Sequence, residues 1–415
     1  MKIRRVAILS VHSCPKAALG GKETGGMNVY VREVSREMGR LGIKVDVFTR
    51  SQNPHISSIA RIGPHARVIH LKAGPEEPIP KQDLFQFLPE FSEGVMQFAE
   101  KNRIGYDILH SHYWLSGWVG GQLKSRWSVP LVHMFHTLGS LKNFFSQSKA
   151  EREPRRRILV EEEIMEFADG LVAPNPWERE QMILRHGAQA SKVRIIPCGV
   201  NLKLFRPIPS TRAKKFLGLS EKPFILFVGR IDAIKGIDVL IQAVHSLSRR
   251  PFPVGRDIGV IIIGGELDED SQKESQEMRR LRKLVARKKL QDRVAFWGSQ
   301  RQALLPYFYS ASEALIIPSR YESFGIVALE AMACGTPVIA SRVGGLQYTV
   351  QDGRTGYLIP NGDWRLLAAR IQEVVAKPAI KKQLVRSAMA RVKRYAWPFI
   401  TQRVLSFYKT VIGEG

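Results

Sequence analysis

Short apolar runs of strand length alternate with segments of helical period along the whole chain, which is the sequence form of parallel, doubly wound sheets. In the first half, Val6–Val11, Val45–Thr49, Val68–Leu71, Ile108–His110, Leu131–Phe135, Gly170–Ala173 and Val193–Ile196 predict strands. The second half repeats the rhythm at Phe224–Val228, Val260–Ile263, Val294–Trp297, Ala314–Ile317, Pro337–Ala340 and Gly356–Ile359. The intervening stretch Leu202–Pro223 carries prolines and no clear period, so a boundary falls there. Residues 1–203 and 204–394 therefore read as two Rossmann-like α/β domains. The tail, residues 395–415, resumes an apolar helical pattern and reads as a final helix packing back across the domains. There is no heptad array and no repeat of solenoid period.

A chain of 415 residues can build two or three domains, each with its own core. No apolar run approaches the roughly 18–20 residues that span a bilayer. The segment Met1–Ser10 is basic and then apolar, as a secretory signal would be. Its apolar part is too short and meets His12 without a small-residue cleavage site, so it reads as a first buried strand. Cys14, Cys198 and Cys334 are distant from one another and odd in number, which fits free thiols in a reducing, cytoplasmic compartment and no metal site.

The net charge of +25, from 63 basic and 38 acidic residues, makes a surface that attracts anions: nucleic acid, acidic headgroups or phosphorylated small molecules. The basic residues are dispersed, with no zinc-finger spacing and no RNA-recognition signature, which argues against a nucleic-acid partner. Peripheral contact with an anionic membrane and homodimerisation stay open.

Chemistry is first suggested where strand one runs into Gly20-Gly-Lys-Glu-Thr-Gly-Gly-Met-Asn28 and then a helix, since a glycine-rich turn at a helix N-terminus offers free N–H groups to an anion. The spacing is neither the dinucleotide G-x-G-x-x-G nor the Walker pattern. Strand two ends at Thr49-Arg50, without the acidic residue that would hold an NAD ribose. The second signal is Pro318-Ser-Arg-Tyr-Glu-Ser-Phe-Gly-Ile-Val-Ala-Leu-Glu330. With Ser323 capping a helix that begins near Phe324, Glu322 stands just before the helix and Glu330 about two turns in. Eight helical residues rise about 12 Å, too far for a retaining glycosidase pair at about 5 Å. Two such carboxylates at a strand end suit the two ends of an extended ligand instead.

With these segments in place, the sequence resembles glycosyltransferase family 4, retaining enzymes of the two-domain GT-B fold. It is most similar to the branch holding the mycothiol-pathway inositol-phosphate glycosyltransferase and bacterial sucrose-phosphate synthases. The motifs are Gly25-Gly-Met-Asn-Val-Tyr30, His110-Ser-His-Tyr-Trp-Leu-Ser-Gly117, His136-Thr-Leu138, Val228-Gly-Arg230 with Lys235-Gly236, and the two-glutamate segment. The resemblance covers essentially the whole chain. It implies two doubly wound domains facing each other across a cleft, the first binding the acceptor and the second the nucleotide sugar.

Arg230 leaves a strand end and Lys235 stands at a helix start, where two cations can neutralise a diphosphate without a metal. The resemblance gives Arg230 and Lys235 the donor diphosphate and Glu330 the ribose hydroxyls. Glu322 and the backbone at Phe324 and Gly325 face the transferred sugar. Gly26 and Asn28 lie near the donor phosphate, Asn28 also near the acceptor, and His136 contacts the donor sugar, whereas His133 reads as structural. His136, Arg230, Lys235 and Glu322 are the implied catalytic set. Counting from the matched motifs puts Lys81, Tyr113, Thr137 and Arg157 round an acceptor phosphate, although Arg157 also belongs to Arg155-Arg-Arg157, which alone would read as a solvated basic face.

The expected activity is metal-independent, retaining transfer of a sugar from a nucleotide diphosphate, such as a UDP-sugar, to a small phosphorylated acceptor, with no cofactor. A lipid-linked or polysaccharide acceptor at the inner membrane face is the alternative. Asp268-Glu-Asp270 has the D-x-D form of metal–diphosphate sites in other glycosyltransferase folds and reads here as a surface turn. Donor base and sugar, acceptor identity and oligomeric state are left open.

Overall fold

The computed structural model describes residues 3–17, 24–146, 152–249, 258–265 and 274–413. The chain divides into two compact units: Met1–Ala17, Gly26–Cys198 and Trp397–Gly415 in one, Ala18–Gly25 and Gly199–Ala396 in the other. No helix among the described residues is long and apolar enough to cross a membrane.

The first unit is built on an eight-stranded sheet of β1 (Arg5–Leu9), β2 (Lys44–Arg50), β3 (Ile59–Gly63), β4 (Ala66–Leu71), β5 (Ile108–His112), β6 (Leu131–Met134), β7 (Gly170–Ala173) and β8 (Val193–Ile195), in the order β3-β4-β2-β1-β5-β6-β7-β8. Val6 of β1 pairs in parallel with Val45 on one side and Ile108 on the other. Val6, Ala7, Ile8 and Leu9 are all fully buried. Covering by helices on both faces is what makes this strand an unbroken apolar run rather than an alternating one. The helices include α1 (Gly26–Arg40), α2 (Leu88–Lys101), α3 (Trp114–Trp127), α4 (Gly139–Phe145), α5 (Arg155–Phe167) and α6 (Pro176–His186). The C-terminal helix Trp397–Ile412 belongs to this unit, with the Trp397 ring edge-on to Tyr30 of α1 at 5.6 Å.

β3 is the strand the apolar pattern does not announce. It pairs antiparallel to β4 at the sheet edge, with a register shift between Arg61 and Gly63, and most of it is at least part-exposed. An edge strand needs only one buried flank, so it carries no long apolar run.

The second unit holds a six-stranded, all-parallel sheet of β9 (Phe224–Val228), β10 (Gly259–Ile263), β11 (Val294–Phe296), β12 (Leu315–Ile317), β13 (Val338–Ser341) and β14 (Tyr357–Ile359), ordered β11-β10-β9-β12-β13-β14. The unit's helices include α7 (Ser210–Leu217) and α8 (Ile237–Ser248), and Ile225, Phe227, Val260, Ile262, Ile316 and Ile339 pack into its core with Ile237, Leu240 and Val244 of α8.

Both sheets are Rossmann-like, and each reverses strand order once. The first does so between β1 and β5, the second between β9 and β12. In open α/β sheets ligands bind beyond the carboxyl ends of the strands at such a reversal. Ser10–Ser13, Tyr113, Gly229-Arg230 and Pro318–Glu322 lie there, so topology alone brings the motif residues of each unit to its ligand-binding edge.

One glycine sets how closely the second edge can close. Gly236, at φ 66°, lies so near the strand-end backbone that a Cβ there would stand 2.0 Å from the Pro318 carbonyl oxygen. Gly236→Ala should therefore combine left-handed strain with a backbone clash, costing about 2–3 kcal/mol and lowering the melting temperature by roughly 4–10 °C. Gly362→Ala, at φ 78° with open space round its Cβ, carries the strain alone and should cost less. Thermal melts of the two variants check the difference, and equal losses would show that the Pro318 contact is not what requires glycine.

Candidate active site

In the first unit, Asn28 of α1 is buried, and its Nδ2 donates to Ser13 Oγ at 2.6 Å and to the Cys14 carbonyl at 2.8 Å. It thus ties the loop after β1 to the start of the helix, where Gly26 is exposed at the first position. Tyr113, between β5 and α3, has φ 75° and ψ 152°, a region that side-chain-bearing residues rarely enter. Its N–H donates to the Met134 carbonyl at 2.9 Å, and its ring lies 4.4 Å from that of His12. His136, just beyond β6, also has positive φ, 61°. Its Nε2 stands 3.0 Å from His112 Nδ1, and Tyr30 meets its ring edge-on at 5.5 Å. Two neighbouring strand ends thus carry strained backbone. Strain of this kind persists only where surroundings hold it, and it gathers at functional sites.

Arg157 on α5 organises what surrounds Tyr113. Its side chain is 1% exposed, while Arg155 and Arg156 face solvent, so the arginine run divides into one buried residue and two surface ones. The guanidinium donates from Nε to Glu161 Oε1 at 2.6 Å, from Nη1 to Tyr113 Oη at 2.9 Å and from Nη2 to the Thr137 carbonyl. It also stacks 4.6 Å from the Tyr113 ring centroid. Burial alone would lower the Arg157 pKa, but Glu161, Tyr113 and Glu153 more than reverse this, and the guanidinium is held charged. Glu161 in turn accepts from Gly139 N at 2.8 Å. Burial pushes the Tyr113 hydroxyl up to about 12, so it stays a neutral donor.

A second carboxylate completes the cluster. Glu153 meets Lys142 Nζ at 2.5 Å, Arg157 Nη1 at 3.1 Å and Lys81 Nζ at 3.6 Å. Burial acts against its charge, but Arg157, Lys81 and Lys142 bring its pKa down to about 2. Lys81 opens the 3-10 turn Lys81–Phe87, and the approach to it is pinned by buried Arg50, which donates to the Pro75 carbonyl at 2.9 Å and to the Glu77 carbonyl at 2.7 Å. Lys81, Tyr113, Thr137 and Arg157, called from motif counting, therefore come together. Glu153, Glu161 and Lys142 join them without having been called as site residues. The one signal in the sequence is the spacing of four residues that places Glu153, Arg157 and Glu161 on one side of the chain near and along α5.

In the second unit, Lys235 ends the 3-10 turn Ala233–Lys235 and bonds Glu322 Oε2 at 2.5 Å, both side chains being 18% exposed. Arg320 welds the two loops: its N–H donates to the Ile234 carbonyl at 2.7 Å, and its guanidinium reaches the Ala233 carbonyl at 2.6 Å and both Asp238 oxygens at 3.1 and 2.8 Å. Neither Arg320 nor Asp238 stands out in the sequence. The Glu322 carbonyl accepts from Gly345 N at 2.8 Å, closing the turn after β13 onto the same loop. Arg230 follows β9 and is half-buried.

The helix after Glu322 starts later than expected. It spans Ile326–Ala333 and is capped by Gly325 at φ 82°, not by Ser323, because only a residue free to turn left-handed fits the bend against Leu346. Phe324 is buried beside it. Glu330 is then the fifth helical residue rather than two turns in. It is buried, accepting from Tyr309 Oη at 2.8 Å, with Gln302 Nε2 at 3.5 Å from its other oxygen.

The two halves of the chain match two family descriptions: Glycosyltransferase Family 4 over residues 24–204 and Glycosyl transferases group 1 over residues 210–391. The D-inositol 3-phosphate glycosyltransferase of Acidothermus cellulolyticus is 39% identical over 414 residues, 99% of this chain and 91% of that protein. The chain belongs to glycosyltransferase family 4. The enzyme of the same name from Saccharomonospora viridis is 38% identical, over 98% of this chain and 94% of that one. A solved sucrose-phosphate synthase from Thermosynechococcus elongatus superposes with a TM-score of 0.89 at 38% identity, covering 99% of this chain and all of that one. The expected GT-B glycosyltransferase architecture, with two Rossmann-like domains, is thereby shown. Residues 20–23 of the glycine-rich loop and Asp268-Glu-Asp270 lie outside the described residues. Among the described residues no group of three or more His, Cys, Asp or Glu side chains could hold a metal ion.

This glycosyltransferase gathers four buried histidines, His12, His110, His112 and His133, with the part-buried His136 along and just beyond β1, β5 and β6. Desolvation lowers His12, His110 and His136 to about 3, and burial likewise puts His112 and His133 well below their ordinary value. His133 Nδ1 pairs with Ser111 Oγ at 2.7 Å and His110 Nδ1 with Tyr408 Oη at 2.6 Å, which makes both core groups. On unfolding each ring regains a pKa near 6.5, so the unfolded chain takes up protons below that value and the folded one does not. Stability is fully present above pH 6.5 and is lost as pH falls towards 3, by about 1.4 kcal/mol per pH unit for each ring. The melting temperature should drop steeply between pH 6.5 and 5, with uptake of more than two protons on unfolding. A flat profile over that range would show that these rings are charged in the fold.

Proposed function

We propose that the protein transfers a sugar, with retention, from a nucleotide diphosphate donor to a hydroxyl of a small phosphorylated acceptor. The observation that carries the reading is the convergence of Lys81, Lys142 and Arg157 on a single anion, the Glu153 carboxylate, with the Tyr113 hydroxyl on the same guanidinium nitrogen. Lys point charges beside a guanidinium N–H and a hydroxyl suit a phosphate monoester. The relatives named above, an inositol-phosphate glycosyltransferase and a sucrose-phosphate synthase, favour the same class of acceptor over a lipid-linked or polysaccharide one.

In this reading the first domain binds the acceptor, with Asn28, Lys81, Tyr113, Thr137 and Arg157 round it. The second binds the donor: Arg230 and Lys235 on the diphosphate, Glu330 on the ribose, and Glu322 with the Phe324 and Gly325 backbone towards the sugar. Gly26 and Asn28 approach the donor phosphate, and His136 the sugar. The bond from the anomeric carbon to the diphosphate oxygen breaks with its electron pair going to the diphosphate. The acceptor oxygen bonds the same face, and its proton passes to a leaving-phosphate oxygen. The protein supplies position and charge stabilisation. Lys235, bonded to Glu322, would exchange that partner for the diphosphate. The nucleotide sugar is a substrate, and the two cations serve where other folds use a metal. Three free cysteines fit a cytoplasmic setting.

The test is nucleotide diphosphate release in EDTA, crossing UDP-N-acetylglucosamine, UDP-glucose and GDP-mannose against inositol phosphate, fructose 6-phosphate and no acceptor. Release that depends on one phosphorylated acceptor is expected. No release above the acceptor-free rate would overturn the reading in favour of a larger acceptor, which sedimentation with anionic vesicles would then probe. Lys235→Ala and Glu330→Ala should each lower turnover by roughly two to three orders of magnitude, as loss of one preorganised electrostatic contact does. Wild-type rates in both variants would remove the donor assignment.

A further inference from the structure

Glu153 poses a question that the assigned roles leave open. Its carboxylate takes the contacts that an acceptor phosphate would need. Arg157 is close to saturated: Nε serves Glu161, Nη1 serves Tyr113 and Glu153, and Nη2 serves the Thr137 carbonyl. Of its two carboxylate partners Glu153 is the more accessible, its side chain 8% exposed, whereas Glu161 is fully buried between Arg157 and Gly139 N.

The backbone beneath the carboxylate is fixed. Glu153 N donates to Asn143 Oδ1 at 2.6 Å, and Asn143 Nδ2 donates to the Glu153 carbonyl at 3.1 Å. The side chain can therefore change rotamer while its main chain stays on α4. The charges favour exchange over coexistence. Three cations (Lys81, Lys142 and Arg157) face two carboxylates (Glu153 and Glu161), leaving one net positive charge. A phosphate dianion in the place of Glu153 makes the cluster neutral, whereas a dianion added beside it leaves an excess negative charge in a largely buried site.

We propose that Glu153 is a specificity-determining internal anion, which holds the acceptor's phosphate subsite and is displaced by that phosphate. This rests on the acceptor reading above. While Glu153 is in place the three cations are kept assembled and charged. A neutral acceptor offers nothing to displace it. A weakly charged anion gains too little to do so, and a phosphate monoester gains two charges against one. The glutamate thereby sets a threshold for entry and costs the proper acceptor some affinity.

The probe is inorganic phosphate, titrated calorimetrically into the full-length protein. The part of the binding that Lys81→Met removes reports this subsite and separates it from any phosphate held by Arg230 and Lys235. Glu153→Gln and Glu153→Ser should tighten that component by roughly ten-fold or more, since one charge-assisted contact no longer has to be broken. They should also lower KM for the phosphorylated acceptor without raising kcat. A glutamate needed only for structure would weaken binding when replaced. If either folded variant binds phosphate no more tightly than wild type, while Lys81→Met still weakens it, Glu153 is not a displaced occupant and the acceptor reading stands. If neither wild type nor variants bind phosphate in a Lys81-dependent way, the proposal falls together with the acceptor reading beneath it.

Discussion

A guanidinium cannot be carried into a protein interior without counter-charge and a full set of acceptors, and Arg157 meets that constraint through the site around it. Its 1% exposure would be untenable without Glu161 behind it, the Thr137 carbonyl beside it and Tyr113 beneath it. Tyr113 and Thr137 follow different strands, and Glu161, one turn on along α5, holds the first N–H of α4, so satisfying one buried cation fixes the loop after β5, the loop after β6 and the start of α4. Tyr113 holds its place against Arg157 with a strained backbone, and His136 at the neighbouring strand end is strained likewise.

The second unit solves a related problem differently. Lys235 is matched by Glu322 across two loops that Arg320 ties together, and Gly236 lets those loops approach at backbone distance. Both candidate phosphate-binding clusters are thus cationic and partly neutralised from within. Such sites avoid the repulsion of bare clustered cations, yet they can yield to a ligand of higher charge. For glycosyl transfer this means that electrostatic stabilisation is built before substrate arrives and costs no reorganisation of the cation frame.

Most of the fold was legible because buried parallel strands must be continuous apolar runs. Each of the thirteen expected strands has its counterpart, and β3 escaped because an antiparallel edge strand needs no such run. The helix after Glu322 was placed from a serine cap, whereas backbone crowding against Leu346 selected Gly325 instead. In the site, glycine spacing, strand-end cations and paired glutamates were visible because they recur at fixed local offsets. Glu153, Arg320 and Asp238 were not, since their meaning comes from groups distant in sequence. Lys81 and Glu153 meet only through the fold, and the same arginine triplet that reads as a basic surface contains one residue buried to the last atom or nearly so.

Whether the Arg157 cluster reads the acceptor's phosphate is tested by the ratio of kcat/KM for a phosphorylated acceptor to that for the same molecule without its phosphate. Two or more charge-assisted contacts predict a wild-type ratio of roughly 10³ or greater, collapsing by at least roughly ten-fold when Lys81 and Lys142 are both replaced by methionine. A ratio near one in the wild-type enzyme, or a large ratio that survives loss of both lysines, would show that this cluster does not bind the acceptor's phosphate.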